Sequence, residues 1–190
     1  ILTVTVNPAI DLSTSVEQVL EGGKLRCSAP QREPGGGGIN VSRALHKLGG
    51  RSRAVYVSGG IYGQLLEKLL EKEGIEQEPY RIEGQSRQNV TVRERSSERQ
   101  YRFVMPGPEL SPEHWRGFLE ELFERHPETD YLVASGSLPP GFPEDFYARL
   151  CRRAVQRNIR VVVDTAGRPL QLAAEAGAYL VKPNLSELEH

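Results

Sequence analysis

Short apolar runs alternate with amphipathic helical stretches along most of this chain, and that rhythm constrains the fold more than any single residue does. Residues 1–6 alternate as a strand, 39–48 place apolar side chains at helical spacing, 54–57 form a short buried run, and 61–70 return to an amphipathic helix. The pattern resumes with a helix over about 113–123, a strand over 131–134, a helix over 144–155 and a strand over 161–163. A short helix and a strand over 179–181 follow. Pro112 and Pro143 stand where helices would begin, which suits their fixed φ and missing donor. Such alternation predicts an α/β fold with a mostly parallel sheet and helices on both faces.

The middle breaks the rhythm. Residues 79–105 read as short strands at 81–83, 89–95 and 100–105, with a Ser96-Ser97 turn and nothing helical between them. Residues 11–29 also lack a helical signature. The two stretches predict a small antiparallel sheet paired from distant insertions, at about 11–35 and 79–107, and placed as a lid on the main body.

Composition bounds the function. With 190 residues, 38% hydrophobic and 26% charged, the chain has apolar material for one sizeable core. A net charge of -1 gives no whole-protein case for nucleic acid or an anionic membrane, so any anion site must be local. Cys27 and Cys151 lie far apart without metal-ligand spacing, which argues against a structural zinc or a disulfide framework and fits a reducing cytoplasm. No apolar run approaches a membrane span and no signal-peptide pattern opens the chain. It starts without Met, and both ends read as cut.

One local feature stands out: "EPGGGGINVSRAL" at 33–45 sets four glycines directly before a helical pattern. Ordering them costs backbone entropy, so bare backbone is needed against something. A dinucleotide loop would follow a buried strand and precede an acidic residue ending the next one; neither condition holds, and no Gly-Lys-Ser/Thr marks a Walker loop. What remains is a helix N-terminus facing a hydroxyl-rich or anionic ligand, or else a tight turn. Asn40 donates and accepts together, which suits vicinal hydroxyls, and Asp11 offers a carboxylate to the same end, or an Asx turn. Ser135, Gly136 and Ser137 follow one strand and Asp164 ends another, where open α/β sheets deliver ligand groups.

"NPAID" (7–11), "GKLRC" (23–27), "GGGGINVSRAL" (35–45), "RQNVTV" (87–92), "GSLPPG" (136–141) and "VKPNLSEL" (181–188), in this order, resemble the PfkB branch of the ribokinase-like carbohydrate kinases. Within that branch the phosphosugar kinases are nearest, and "ERQYRFVMPG" (98–107) is especially similar to its 6-phosphofructokinases. The resemblance implies a ribokinase-like three-layer αβα core beneath a β-sheet lid, a homodimer formed through that lid, a cytoplasmic location, and Mg2+-ATP-dependent phosphorylation of fructose 6-phosphate. It puts Asp11, Gly35, Gly36 and Asn40 on the sugar, and Arg87 on its phosphate with Lys24, Arg26 and Ser137 near, the first two contributed by the opposite subunit. Lys182, Asn184 and Glu187 fall at the ATP phosphates, with Glu187 reaching Mg2+ through water.

The family's Gly-Ala-Gly-Asp segment, with its anion hole and catalytic base, does not occur within the 190 residues. The expectation is therefore that residues 1–190 are the sugar-phosphate-binding part of one kinase domain, inactive alone, with the base beyond His190. The alternatives are a kinase for fructose 1-phosphate or tagatose 6-phosphate, or a sugar-phosphate-binding protein without catalysis.

Overall fold

The computed structural model describes residues 1–183. Its strands and helices, in chain order, are β1 (Leu2–Thr5), β2 (Ala9–Val16), β3 (Gln31–Gly35), α1 (Gly37–Lys47), β4 (Arg53–Gly59), α2 (Gly60–Lys72) and β5 (Glu76–Ile82). There follow β6 (Arg87–Glu94), β7 (Gln100–Phe103), α3 (Pro112–Arg125), β8 (Tyr131–Ser135), α4 (Phe146–Val155), β9 (Arg160–Asp164), α5 (Gly167–Glu175) and β10 (Leu180–Val181).

Six strands form a sheet in the order β10-β9-β8-β1-β4-β5, and every pairing in it is parallel. Period-two alternation divides its side chains between two cores. Val55 and Val57 join Leu2, Val4, Leu132, Val161 and Val163 against Trp115 and Phe118 of α3, Phe146 and Leu150 of α4, and Leu170 of α5. Ala54 and Tyr56 face the opposite way, onto Ile39 of α1 and Leu66 and Leu70 of α2. Helices thus cover both faces, giving the expected three-layer α/β core.

The second sheet has the order β3-β2-β6-β7 and draws on two separate stretches, as expected. It is mixed rather than antiparallel: β2 and β6 pair in parallel, and only the outer pairings are antiparallel. The reason is topological. β2 follows β1, and β6 follows β5, so both leave the same end of the large sheet and run the same way where they meet.

Two local expectations are corrected. Residues 81–83 do not belong to the lid: β5 is the outer strand of the large sheet, with Pro79 opposite Tyr56, and an edge position tolerates a proline without an N–H. Pro143 does not start a helix. Its carbonyl accepts the Phe146 N–H at 2.9 Å in a single turn, and α4 begins at Phe146. Pro112 does occupy the first turn of α3, behind the Ser111 cap. Lid and core are tied at Arg43 of α1, which bonds both carboxylate oxygens of Glu73 (2.6 and 2.9 Å) and the Pro34 carbonyl of β3 (3.2 Å).

Candidate functional site

The carboxyl ends of β1, β8 and β9 open into a cleft of about 930 Å³, lined among others by Asn7, Arg87, Ser135, Gly136, Ser137 and Asp164. On its floor the Ser135 hydroxyl donates to Asp164 Oδ2 (3.0 Å), and Lys182 Nζ lies 3.1 Å from Asp164 Oδ1. Gly136 turns the chain with φ +122°, a conformation open to glycine.

Arg87, the first residue of β6, reaches across from the lid. Nη1 donates to the Met105 carbonyl (2.8 Å), while Nη2 donates to the Asn7 carbonyl (3.0 Å) and lies 3.4 Å from Ser137 Oγ. Its Nε is buried without a hydrogen-bond partner among the described residues. Burial pulls the guanidinium pKa down and the charge of Asp11 opposes this, yet among the described residues no carboxylate is ion-paired with it. Asn7, 3% exposed, completes the junction by donating from Nδ2 to the Pro106 carbonyl (3.1 Å) and Ser137 Oγ (3.2 Å).

Asp11 stands beside this cleft on β2. Its Oδ1 accepts from Asn89 Nδ2 (2.9 Å), and Asn89 Oδ1 in turn accepts the Met105 N–H (3.2 Å), so the carboxylate is oriented by the lid's central strand. Asn40 is exposed in the first turn of α1 and makes no side-chain hydrogen bond among the described residues.

The glycine run answers to the protein's own packing. A Cβ at Gly35 would overlap the Asp11 carboxylate, at Gly36 it would sit 2.6 Å from Thr5 Cγ2, at Gly37 it would overlap Ser135 Oγ, and at Gly38 it would sit 2.5 Å from the Val4 carbonyl. Gly36 also has φ +122°, and Thr5 Oγ1 accepts the Ile39 N–H at 3.0 Å. The bare backbone approaches the ends of β1, β2 and β8.

Of the site residues read from the sequence, Arg87 and Ser137 meet in the cleft, and Asp11 meets Gly35 next to it. Lys24 and Arg26 lie on no strand of the lid: both are exposed in the connection between β2 and β3 and do not line the cleft. Asn184 and Glu187 lie outside the described residues. Asn7 and Asn89 were present only as letters within motifs. Their roles depend on partners 80 and 78 residues away.

Residues 4–190 match the pfkB family carbohydrate kinase profile. The chain belongs to the pfkB family. Among curated pfkB relatives it is 42% identical to ATP-dependent 6-phosphofructokinase isozyme 2 of Mycobacterium tuberculosis, over 99% of this chain and 55% of that protein. It is 42% identical to the Escherichia coli isozyme 2, over 99% and 61% respectively, and 36% identical to the 1-phosphofructokinase of Bacillus subtilis, over 99% and 61%. The crystal structure of Escherichia coli phosphofructokinase-2 in complex with fructose-6-phosphate superimposes with a TM-score of 0.93 at 41% identity, covering 100% of this chain and 62% of that one. The chain therefore spans between about half and two thirds of the length of these pfkB relatives, and its fold is the ribokinase-like α/β fold they share.

Proposed function

We propose that the full-length protein transfers a phosphoryl group from ATP to the C1 hydroxyl of fructose 6-phosphate, giving fructose 1,6-bisphosphate, with this chain supplying the sugar-phosphate-binding part. The observation that carries the reading is Arg87: a half-buried guanidinium, held by neutral carbonyls and a hydroxyl, with no carboxylate ion-paired with it among the described residues. A cation desolvated without a partner calls for an anion from solution. The rigid fork of Arg matches phosphate, with Ser137 and Asn7 beside it. Asp11, oriented by Asn89, takes sugar hydroxyls, and Asn40 is free to take others. The names of the relatives favour fructose 6-phosphate, since the 6-phosphofructokinases are the more similar.

Lys182 fits a nucleotide's anionic end: its side chain is 67% exposed, and its ion-pair partner among the described residues is Asp164 on the cleft floor. Mg2+-ATP, when bound, supplies the phosphoryl group. Lys182 and Asn184 would hold the phosphates and Glu187 the hydrated metal, while the base that takes the hydroxyl proton belongs to the rest of the protein. Exposed Val19, Leu20 and Leu25 next to Lys24 and Arg26, with Phe103 and Val104 on the lid's other edge, support a homodimer through the lid that carries those two cations to the partner's site. A cytoplasmic location goes with this reading. Steady-state turnover of the full-length protein with fructose 6-phosphate, fructose 1-phosphate and tagatose 6-phosphate tests it. Fructose 6-phosphate should give the highest kcat/KM, and turnover of fructose 1-phosphate alone refutes it.

A further inference from the structure

Behind the cleft, on the core side of the 135–137 turn, stands a residue that does not itself line the open site. Tyr147 of α4 is fully buried, and its hydroxyl donates to the Gly136 carbonyl at 2.9 Å. Phe146 packs edge-on against its ring, with centroids 5.5 Å apart and planes at 71°. Burial raises the phenol's pKa and Asp164's charge raises it further, so the hydroxyl remains a donor at every working pH. The Gly136 N–H is held as well, by the Asp164 carbonyl at 2.9 Å. Both polar groups of Gly136 are therefore fixed, one through β9 and one through α4.

The consequence falls on the next residue. In a trans peptide the carbonyl of one residue and the N–H of the next point in opposite directions, and no peptide here is cis. With the Gly136 carbonyl drawn toward Tyr147 in the core, the Ser137 N–H points the other way, to the side where Ser137 lines the cleft with Arg87. That N–H has no hydrogen-bond partner among the described residues. A free main-chain donor beside a half-buried guanidinium makes an anion-binding pair. Its orientation is set by a hydroxyl on the far side of the peptide plane.

We propose that Tyr147 is a positioning residue for sugar-phosphate binding, acting through the Gly136–Ser137 peptide to aim the Ser137 N–H at the phosphate. It rests on the phosphosugar reading above. Without the hydroxyl the Gly136 carbonyl is left unsatisfied in the core. The peptide plane is then free to rotate, and the Ser137 N–H loses its fixed aim while every other group of the site stays in place.

The test uses the full-length protein as wild type, Tyr147→Phe and Tyr56→Phe. Tyr56 is the control: it is an equally buried phenol, but its hydroxyl bonds Gln77 on the opposite core. Titration of the wild type comes first, and failure to bind fructose 6-phosphate, fructose 1-phosphate or tagatose 6-phosphate refutes the phosphosugar reading and this inference with it. Given binding, Tyr147→Phe should raise KM and Kd for the phosphosugar about tenfold, roughly the worth of one well-aimed hydrogen bond to a charged group. The KM for Mg2+-ATP should hold within about twofold, and Tyr56→Phe should lower Tm without touching either constant. Unchanged phosphosugar affinity in a folded Tyr147→Phe, or equal losses for both substrates, overturns the inference alone. Should Tyr147→Phe not fold, amide hydrogen exchange on the wild type decides. The Gly136 amide should be protected without ligand and the Ser137 amide only with it; a Ser137 amide indifferent to the phosphosugar overturns the inference.

Discussion

Replacing Arg87 by Lys removes the fork and keeps the charge. Three donor contacts hold this side chain between the lid and the ends of two core strands: Met105 carbonyl at 2.8 Å, Asn7 carbonyl at 3.0 Å and Ser137 Oγ at 3.4 Å. Its Nε has no partner among the described residues. A lysine ammonium cannot reach these groups and present two parallel donors to a phosphate at once. The loss is one charge-assisted hydrogen bond, about 2 kcal/mol, which is roughly a 30-fold weaker Kd. Thermal unfolding of the full-length protein reads this directly. With fructose 6-phosphate at about 100 times the wild-type Kd, mass action adds about 2.7 kcal/mol to the wild type but only ~0.9 kcal/mol to a variant ~30-fold weaker. At about 2–4 °C per kcal/mol, the ligand-induced rise in Tm should fall from about 5–11 °C to about 2–4 °C. The rise produced by Mg2+-ATP should be the same in both proteins. A Lys variant that keeps the full fructose 6-phosphate shift, or that loses the nucleotide shift in equal measure, would refute the assignment of Arg87 to the sugar phosphate.

Three other outcomes are expected. Gly36→Ala should cost about 1–3 kcal/mol of stability, read from the urea midpoint, because φ is +122° and Thr5 Cγ2 occupies the place of the new methyl; a normal midpoint with a selective loss of sugar-phosphate affinity would return the glycine to the ligand. Asp11→Ala should weaken sugar-phosphate binding by about 1.5–3 kcal/mol, roughly ten- to hundredfold by calorimetry, and leave Mg2+-ATP binding alone; equal losses for both ligands would refute the assignment of Asp11 to the sugar. Burial pushes the Cys151 thiol up to about 12 whereas Cys27 is exposed, so at pH 8 a maleimide should label Cys27 and spare Cys151 until the protein is denatured, as mapped by mass spectrometry.

Most of the core was legible because helix and strand periods are local properties. The continuous apolar run at 54–57 marks a buried strand before any partner is known. What was not legible depends on distant geometry. The stretch EQEPYRI of β5 has the proline and the half-polar alternation of an edge strand, and sequence cannot say which sheet an edge belongs to. Its assignment follows from α2, which returns the chain beside β4 by the short crossover that parallel neighbours require. The direction of β2 against β6 is likewise set by where each leaves the large sheet, and neither strand encodes that in its own residues.

The glycine run shows the same division between demand and cause. Four glycines announce that backbone must come close to something, and the nearest things prove to be Thr5, Ser135, the Val4 carbonyl and the Asp11 carboxylate. With the glycines packed against the protein itself, the proposed reading has the ligand met by side chains and free N–H groups brought from elsewhere: Asn7 after β1, Asp11 on β2, Arg87 on β6 and Ser137 after β8. These residues are scattered along 131 positions, and they converge because the parallel sheet and the mixed lid present their ends to one cleft. Arg87 is the residue on which the arrangement turns. On the proposed reading, the guanidinium that takes the phosphate also bonds the lid's Met105 carbonyl and the core's Asn7 carbonyl, so the lid junction and the phosphate site share one residue. A change at Arg87 should therefore be felt as lost affinity and as a looser lid together, and a change at Asn40, whose side chain makes no hydrogen bond among the described residues, as lost affinity alone.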